Sequence, residues 1–533
     1  MKITKIAKTF SLMAALSTLF VLPAAAEPWI KAESQHFIVY SDTTEAETRD
    51  YIAKLEAFDA LTDKLYRQIG DSELPDYRKT VFHYLKEFND FKVLGAVNQN
   101  TAAPVMGCAY DDPQLFSVHT AKISSKEDIG YVDLGLSYLF YAYAHVKTVK
   151  YFSYRLPAWV DGGLAEYFST VNFQADKIIV GQPMPDLLHT TNGHKLTKRD
   201  LAPFEDIVSG RTSGGRDPNA YRFQTWLMIS YFMSDPVRKT GFLDYLDKVS
   251  QGDDGLAAFT AETGMKPTDF DAVFAEYMTK GSPQFTYPAP AAIAADVTVT
   301  PVVDNYEPLP VVAAGVHTCT GGKYGQALLQ SARQIANRYP DDALAQITLA
   351  GADINFGDPT TDVPGAAVPI LQAHLKANPN DWEAQQWLGR YYLLMARRGP
   401  AAESDANYAL ARQELGKAYK LDPTSAPILY FYVEAHRNLP DFPDDNTVQA
   451  LDLAQSYSRS AYDVLEAELD ARRGDMDAAS AMMAIECQYC RSDDAWWKPY
   501  KAIKDALASH QSKDDILALF RAYDALAPRT TGR

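Results

Sequence analysis

Residues 141–168, YAYAHVKTVKYFSYRLPAWVDGGLAEYF, decide how the N-terminal half of this chain is interpreted. Their pattern predicts two consecutive helices, one over about 132–152 and the next over about 157–171. Because residues four apart share one face of a helix, Tyr141 and His145 lie together on the first helix. One face of the first helix therefore carries a tyrosine and a histidine side by side.

Three shorter runs outside this stretch alternate apolar and polar residues, as strands do. They are HFIVYSD, with its alternation from His36 to Tyr40, KTVFHYLK at 79–86 and QLFSVHTA at 114–121. Helical patterns follow the first run and recur over about 220–280. The sequence therefore predicts an α+β domain over residues 27–281, with a small mixed sheet and several helices.

Five segments of residues 28–280 together resemble the peptidase-MA-like branch of the gluzincin (zincin-like) metallopeptidases. These segments are HFIVYSD, LSYLFYAYAHV, RLPAWVDGGLAEYFS, YRFQTWLMISYFM and TAETGMKPTDFDAVFAEYM. Such a peptidase holds zinc with His-Glu-x-x-His on one helix and a glutamate on the next, commonly inside a W-L-x-E-G-x-A-E-Y stretch. The resemblance implies a zincin-like fold for the N-terminal domain.

The residues that carry the chemistry of that family are mostly replaced in this chain. Where the resemblance implies the first histidine, the chain has Tyr141, and where it implies the catalytic glutamate, it has Ala142. The second histidine is kept as His145, whereas the position of the liganding glutamate holds Gly162. Since one imidazole has no chelating partner and a methyl group cannot accept a proton, we expect zinc to be absent and hydrolysis to fail.

Two interpretations of Glu166 remain open at the level of sequence. Glu166 follows Gly162 by one helical turn, so an active zinc metallopeptidase with a shifted ligand set would use His145, Asp161 and Glu166. The other interpretation makes Glu166 a supporting carboxylate that hydrogen-bonds Tyr141 or His145. In that case the histidine belongs to the core and binds nothing, and the tyrosine fills the volume that a metal would leave.

The resemblance also implies where a peptide would bind. In that superfamily the strand before the metal-binding helix pairs with the substrate backbone, which makes QLFSVHTA the candidate edge strand. A vestigial cleft beside this strand would still hold an extended peptide.

Residues 1–26 have the pattern of a secretory signal peptide. Lys2, Lys5 and Lys8 precede an apolar run, and three alanines end at Ala26, after which we expect cleavage. The apolar run is about half the length that a membrane span needs, and no later segment approaches that length. The sequence therefore predicts an exported protein without an integral membrane segment, in the periplasm or associated with the cell envelope.

Acidic residues outnumber basic ones along the whole chain. The formal charge is −17, and loss of the three lysines of the signal peptide would bring it to −20. The sequence has no stripe of lysine and arginine that would follow a phosphate backbone, so we expect no nucleic-acid partner.

The sequence changes character after residue 281. Residues 282–319 are rich in proline and alanine without a helical period, which predicts an extended linker. Residues 320–533 are helical throughout, and Pro340, Pro379 and Pro423 divide them at intervals of 39 and 44 residues. This all-α region resembles tetratricopeptide (TPR) repeats, whose stacked helical hairpins offer a surface to a protein or peptide partner.

Four cysteines are expected to meet an oxidising compartment after export. They are Cys108, Cys319, Cys487 and Cys490. They allow three complete pairings, among which the sequence does not choose. For the Cys487-Gln-Tyr-Cys490 pair we predict a local structural disulfide or two free thiols, since neither a redox nor a haem motif surrounds it.

Taken together, these patterns predict a catalytically inactive gluzincin-like domain followed by TPR-like repeats. The expected role is binding or scaffolding of a protein or peptide outside the cytoplasm.

Overall fold

The computed structural model describes twelve stretches of the chain. They are residues 29–74, 78–86, 114–118, 134–211, 217–281, 285–288, 296–302, 309–318, 322–357, 366–457, 462–487 and 498–526. The predicted signal peptide and Cys490 lie outside these described residues.

Eight strands form two sheets within the described residues. The strands are β1 (Ile30–Glu33), β2 (Phe37–Ser41), β3 (Thr80–Leu85), β4 (Gln114–Val118), β5 (Asn172–Phe173), β6 (Lys177–Val180), β7 (Phe285–Pro288) and β8 (Thr298–Pro301). The larger sheet has the order β4-β3-β2-β1-β8, and the smaller one the order β5-β6-β7. In the larger sheet β2, β3 and β4 are parallel, whereas β1 is antiparallel to both of its neighbours.

The predicted small mixed sheet is therefore confirmed. The alternation in HFIVYSD places Phe37 and Val39 in the core and turns Ile38 and Tyr40 towards more open surroundings, as the period of two requires. The predicted strand within QLFSVHTA lies at one edge of the sheet.

The helices of the N-terminal part surround these sheets. They are α1 (Glu45–Tyr66), α2 (Leu134–Tyr151), α3 (Ala158–Ser169), α4 (Phe204–Val208), α5 (Pro218–Met233), α6 (Pro236–Ser250), α7 (Gly255–Thr263) and α8 (Phe270–Lys280). The predicted helices at 132–152 and 157–171 correspond to α2 and α3. One apolar core joins α1 and α2, where the rings of Phe58 and Phe140 stack with centroids 3.9 Å apart.

Helix α3 lies between α2 and α5, and a glycine sets how closely it approaches α5. A Cβ atom added at Gly163 would lie 2.6 Å from Ile229 Cγ1 and 2.7 Å from the Thr225 carbonyl oxygen. Only glycine allows the two helices this separation. The polar residues on the other faces of α3 are thereby fixed relative to α2 and α5.

The prediction of an extended linker over residues 282–319 is corrected by the structure. Within that segment β7 pairs with β6, β8 pairs with β1, and a helix, α9 (Leu309–Val316), is buried. Two of the prolines that suggested a linker fall at the ends of strands: Pro288 ends β7 and Pro301 ends β8. Both strands are edge strands, where proline is tolerated because one side of the strand needs no partner.

The C-terminal half is an all-α, TPR-like array of helical hairpins. Its helices after α9 are α10 (Gly322–Arg338), α11 (Ala343–Phe356), α12 (Ala367–Ala377), α13 (Trp382–Arg398), α14 (Ser404–Leu421), α15 (Ala426–His436), α16 (Asp445–Tyr457), α17 (Asp463–Arg473), α18 (Met476–Glu486), α19 (Lys498–Ala508) and α20 (Lys513–Leu526). Most consecutive helices pack on one another. Those joined by turns of a few residues, such as α10 and α11 or α12 and α13, are antiparallel neighbours. The predicted helical array is thus confirmed.

The three prolines that divide this region occupy the turns inside successive hairpins. Pro340, Pro379 and Pro423 each precede a capping residue, and the caps are Asp342, Asp381 and Ser425, in that order. Each cap accepts a hydrogen bond from a backbone N–H of the helix that follows. Between hairpins, a Cβ atom added at Gly389 would lie 2.6 Å from Leu415 Cγ, so α13 and α14 pack in close contact.

Alternating arginine and glutamate side chains connect α13, α15 and α17. Glu434 is paired with Arg397 and Arg437, and Arg437 is also paired with Glu468, which in turn contacts Arg472. Burial raises the pKa of Glu434, but the two arginines outweigh it and hold that pKa below its ordinary value. Hairpins are therefore joined by ion pairs as well as by apolar packing.

The N-terminal domain and the array are in contact at several points. Trp29 and Leu85 belong to the same apolar cluster as α9 to α13. Arg78 forms an ion pair with Asp422 and lies over the ring of Trp382, 4.9 Å from its centroid. Arg155 of the N-terminal domain forms an ion pair with Glu486 at the end of α18.

Within the described stretches, none of the helices combines the length and the apolar character that a membrane span requires.

Candidate functional site

The candidate site lies where α2 and α3 face each other. His145 on α2 and Asp161 on α3 form a hydrogen bond of 2.9 Å between Nδ1 and Oδ2. One turn earlier on α2, the ring of Tyr141 meets the imidazole edge-on, with centroids 4.9 Å apart. The structure thus brings together three of the predicted site residues.

Asp161 controls the charge of His145. Burial by itself would lower the pKa of His145, but the charge and the hydrogen bond of Asp161 outweigh it, and Glu166 acts in the same direction. The pKa of this histidine is therefore raised, which favours the imidazolium form. A metal ligand must be a neutral imidazole, so this environment disfavours ligation.

Glu166 is buried on α3 and is held by an arginine of α5. Arg222 Nε donates to Glu166 Oε1 at 2.5 Å, and only 1% of the glutamate side chain is exposed. The prediction that Glu166 hydrogen-bonds Tyr141 or His145 is wrong, because the guanidinium of Arg222 takes one carboxylate oxygen, Oε1. The other oxygen, Oε2, is buried and has no hydrogen-bond partner among the described residues. Burial raises the pKa of Glu166 despite the opposing effect of Arg222.

Arg222 is the functional residue that the sequence analysis missed. Its guanidinium carbon lies 5.5 Å from the centroid of the Tyr141 ring, so it contacts both the carboxylate and the tyrosine. A signal was present in the sequence, since Arg222 is the only charged residue in the helix PNAYRFQTWLMISYFM. A lone charge in an apolar helix requires a buried partner, and here the partner is Glu166.

A second carboxylate belongs to the same cluster. Asp186, in a short 3-10 helix (Pro185–Leu188), accepts a hydrogen bond of 3.4 Å from the hydroxyl of Tyr138 on α2. Its other oxygen, Oδ1, is buried and finds no hydrogen-bond partner in the part of the chain that the structure describes. Asp186 raises the pKa of Glu166 through its charge, which places the two acids in electrostatic contact.

Position 162 opens into free space. Apart from its neighbours along α3, a Cβ atom added at Gly162 would meet no heavy atom of the described residues within 4 Å. The resemblance places the liganding glutamate of the family at this position. A side chain at this position would therefore have room.

The residues of the cluster do not fit a zinc ion. The described stretches contain no group of three or more histidine, cysteine, aspartate or glutamate side chains placed to hold a metal. Of the shifted set, His145 and Asp161 bind each other, while Glu166 is neutralised by the guanidinium of Arg222. A divalent cation at Glu166 would meet that positive charge at close range.

Cys487 is disulfide-bonded. The other three cysteines lie outside the described residues, so the predicted pairing with Cys490 stays a prediction.

No protein-family model matches this chain, and no curated protein sequence matches it. Among solved structures, a thermophilic TPR protein of Thermus thermophilus matches with 16% identity and a TM-score of 0.29, over 35% of this chain and 91% of its own. The description of the array as TPR-like therefore rests on its own hairpins.

Proposed function

We propose that this protein is an exported binding or scaffolding protein that combines a catalytically inactive gluzincin-like domain with a TPR-like array. The observation that carries the proposal is the buried ion pair between Glu166 and Arg222. In this site a fixed guanidinium, rather than a metal ion, supplies the positive charge next to the carboxylate.

The groups needed for metal-assisted hydrolysis are missing from the cluster. Ala142 has only a methyl group where a general base would stand, so it cannot activate a water molecule. Tyr141 does not replace a histidine ligand, because burial, together with Glu166 and Asp161, raises the pKa of its hydroxyl to about 12. At neutral pH the tyrosine is therefore protonated and is a poor metal ligand.

Binding of a protein or peptide is supported by the array. Stacked helical hairpins form extended surfaces, and such surfaces commonly bind other polypeptides. The edge position of β4 supports a second way of binding, in which an extended peptide adds to the sheet.

Export is supported by the sequence of residues 1–26 and by the disulfide-bonded state of Cys487. Disulfides persist in oxidising compartments such as the bacterial periplasm. We therefore assign the protein to the periplasm or the cell envelope.

Metal analysis of the purified mature protein tests this proposal. We expect no stoichiometric zinc and no cleavage of a mixed set of fluorogenic peptides. As a matched comparison, the triple variant Tyr141→His, Ala142→Glu, Gly162→Glu should bind zinc, since the added glutamate enters the free space at position 162.

Stoichiometric zinc in the unaltered protein, together with chelator-sensitive peptide cleavage, would contradict the proposal. In that case the zinc content of His145→Ala and of Glu166→Gln would test the shifted ligand set. If His145 and Glu166 are ligands, each variant should lose the zinc ion.

A further inference from the structure

A second cluster of charged side chains, outside the vestigial site, is buried between α1 and α2. Lys147 of α2, whose side chain is 2% exposed, forms ion pairs with Asp59 and Asp63 of α1, which are 5% and 13% exposed. The neighbouring Lys150 lies 3.5 Å from Asp63. Charges removed from water to this extent cost free energy even when they are paired.

Tyr143 adds a hydrogen-bond donor to one of these carboxylates. Its hydroxyl donates to Asp59 Oδ1 at 2.5 Å, and the ammonium group of Lys147 contacts the same oxygen. The ring of Tyr143 packs edge-on against Phe37 and Phe82, with centroids 5.6 Å from each, which fixes its hydroxyl in place. A donor fixed in this way stabilises the negative charge that develops on the oxygen when the carboxyl carbon is attacked.

Asp63 is the second carboxylate beside the lysine, and it is placed to accept protons. Lys147 Nζ donates to Asp63 Oδ1. Asp63 also faces the ammonium group of Lys150 and is more exposed than Asp59, so it is the acid that remains a carboxylate. A carboxylate in hydrogen-bonding contact with an amine acts as a general base.

We propose that Lys147 and Asp59 condense to an intramolecular isopeptide bond that joins α1 to α2. Asp63 takes a proton from the ammonium group, and the nitrogen lone pair then attacks Asp59 Cγ. The bond between Cγ and Oδ2 breaks, and this oxygen leaves as water with two of the three ammonium protons, while the third stays on the amide nitrogen. One ammonium and one carboxylate group thus give one amide and one water molecule, and no other reactant is consumed.

Three features of the site favour this product. The reaction removes two opposite charges from surroundings that solvate them poorly. The contact between amine and carboxyl group replaces a bimolecular encounter, and effective concentrations for such fixed pairs reach about 10⁵ to 10⁸ M. The departing oxygen, Asp59 Oδ2, lies 3.8 Å from Nδ1 of His36, whose side chain is 30% exposed and marks the direction in which water leaves.

Peptide mass spectrometry of the unaltered protein tests the proposal. After reduction and digestion with trypsin, we expect residues 55–64 to be joined to the peptide that contains Lys147, with a mass lower than the sum by one water molecule. Trypsin should not cleave after Lys147, because its side chain is an amide, and fragment ions should locate the bond on Asp59 rather than Asp63. Lys54 is the control in the same sample: it forms an exposed ion pair of 2.7 Å with Asp50, and we expect ordinary cleavage after it.

Four variants assign the roles of the side chains. Lys147→Arg keeps the positive charge without the nucleophilic amine and should abolish the cross-link. Tyr143→Phe and Asp63→Asn should each slow its formation by about tenfold or more, measured as the cross-linked fraction at fixed times after synthesis. The matched control is Lys150→Arg, which also lies beside Asp63 and should leave the cross-linked fraction unchanged.

Recovery of residues 55–64 as an unmodified peptide from the unaltered protein, with cleavage after Lys147, would overturn the proposal. A bond from Lys147 to Asp63 instead of Asp59 would overturn it as well, as would an equal cross-linked fraction in Tyr143→Phe, Asp63→Asn and the unaltered protein. None of these results bears on the proposed function, which depends on the cluster around Glu166 and Arg222.

Discussion

Glu166 and Arg222 form an ion pair in which the two partners are buried to different degrees. The glutamate side chain is 1% exposed and the arginine side chain 27%. Removing the arginine therefore leaves a desolvated carboxylate without its counter-charge, whereas removing the glutamate leaves a cation that still reaches water. The fold therefore loses more stability when Arg222 is removed than when Glu166 is removed.

Arg222→Met should reduce the stability of α3 by about 3 kcal/mol at neutral pH, because Glu166 then stays buried and unpaired. Hydrogen–deuterium exchange of the α3 amides measures this free energy of opening. The double variant Arg222→Met, Glu166→Gln should recover most of the loss, since no charge is left unpaired.

Arg238→Met is the matched control for this cycle. Arg238 also lies over a tyrosine ring, 4.0 Å from the centroid of Tyr231, but it is exposed. Its replacement should change stability by less than about 1 kcal/mol. If the double variant were as unstable as Arg222→Met alone, lost packing rather than the unpaired charge would explain the effect.

His145 gives the site a dependence on pH. Its pKa is raised above the ordinary value of about 6.5 because Asp161 outweighs the opposing effect of burial. A raised pKa in the folded state means that the stabilisation is complete below the pKa of the unfolded state. It is then lost as the pH rises through the folded pKa.

Asp161→Asn should lower the pKa of His145 below its ordinary value, because burial then becomes the larger effect. Titration of the imidazole by NMR measures both values. The same variant should be less stable than the unaltered protein below a pH of about 6.5, and about equally stable at high pH. An unchanged pKa would show that Asp161 does not control the histidine.

Parts of this cluster follow from sequence and parts do not. The four-residue spacing of Tyr141 and His145 fixes their contact, and the same rule places Glu166 on the face of Gly162. Arg222 lies 56 residues from its partner, so only its isolation in an apolar helix pointed to a buried acid. Which acid it binds depends on how α3 and α5 pack, and no local pattern encodes that packing.

Adjacent glycines on α3 have opposite roles. Gly163 faces α5, where any added Cβ atom would collide with the Thr225 carbonyl, while Gly162 faces free space. A backbone atom cannot move aside as a flexible side chain can. Of the two glycines, only Gly163 therefore limits the distance between α3 and α5.

Gly163→Ala should destabilise the contact between α3 and α5 by about 1–3 kcal/mol, because the helices must separate. Gly162→Ala should instead stabilise α3 by up to about 1 kcal/mol, since alanine favours helix and nothing obstructs it. Thermal unfolding of the two variants side by side tests this difference in sign. Equal effects would mean that the close approach at position 163 is not maintained in solution.

Helices and strands with clear periodicity were predictable at the scale of elements. The alternation around Val39 and the prolines before the caps Asp342 and Asp381 act locally, so the sequence reveals them. The prediction of a linker over 282–319 is wrong because a high proline content does not distinguish a linker from edge strands. Strands β7 and β8 form through pairing with β6 and β1, which are distant in sequence, and proline at an edge strand does not prevent this.

The array and the N-terminal domain are joined by contacts of very long sequence separation. Arg78 and Asp422 are 344 residues apart, and Arg155 and Glu486 are 331 residues apart. Surface charges of this kind have many possible partners in an acidic chain. The sequence therefore predicts two regions, but the contacts between them come only from the structure.

Two acidic side chains near Arg155, those of Asp463 and Glu486, have raised pKa values. Burial and the charge of Glu486 raise the pKa of Asp463 to about 6, with Arg155 opposing. Burial also raises the pKa of Glu486, against the effect of the same arginine. Since both pKa values are raised, ionisation of these acids weakens the folded state as the pH increases.

Arg155→Glu should loosen α17 and α18 from the N-terminal domain, because three acids would then face one another. The effect should be larger at pH 8 than at pH 5, since Asp463 is protonated below about 6. Hydrogen–deuterium exchange of α17 and α18 gives the local loss of protection, and small-angle X-ray scattering gives any increase in the radius of gyration.

The exchange of charges in Arg155→Glu, Glu486→Arg should restore protection, because the pair is re-formed with opposite polarity. The control is Lys501→Glu. Lys501 forms an exposed ion pair with Asp505 within α19, so its replacement should not change the contact between the array and the N-terminal domain. Protection that is unchanged in Arg155→Glu would contradict a role for this ion pair in holding the array. The apolar cluster around Trp29 and Leu85 would then be sufficient to fix its position.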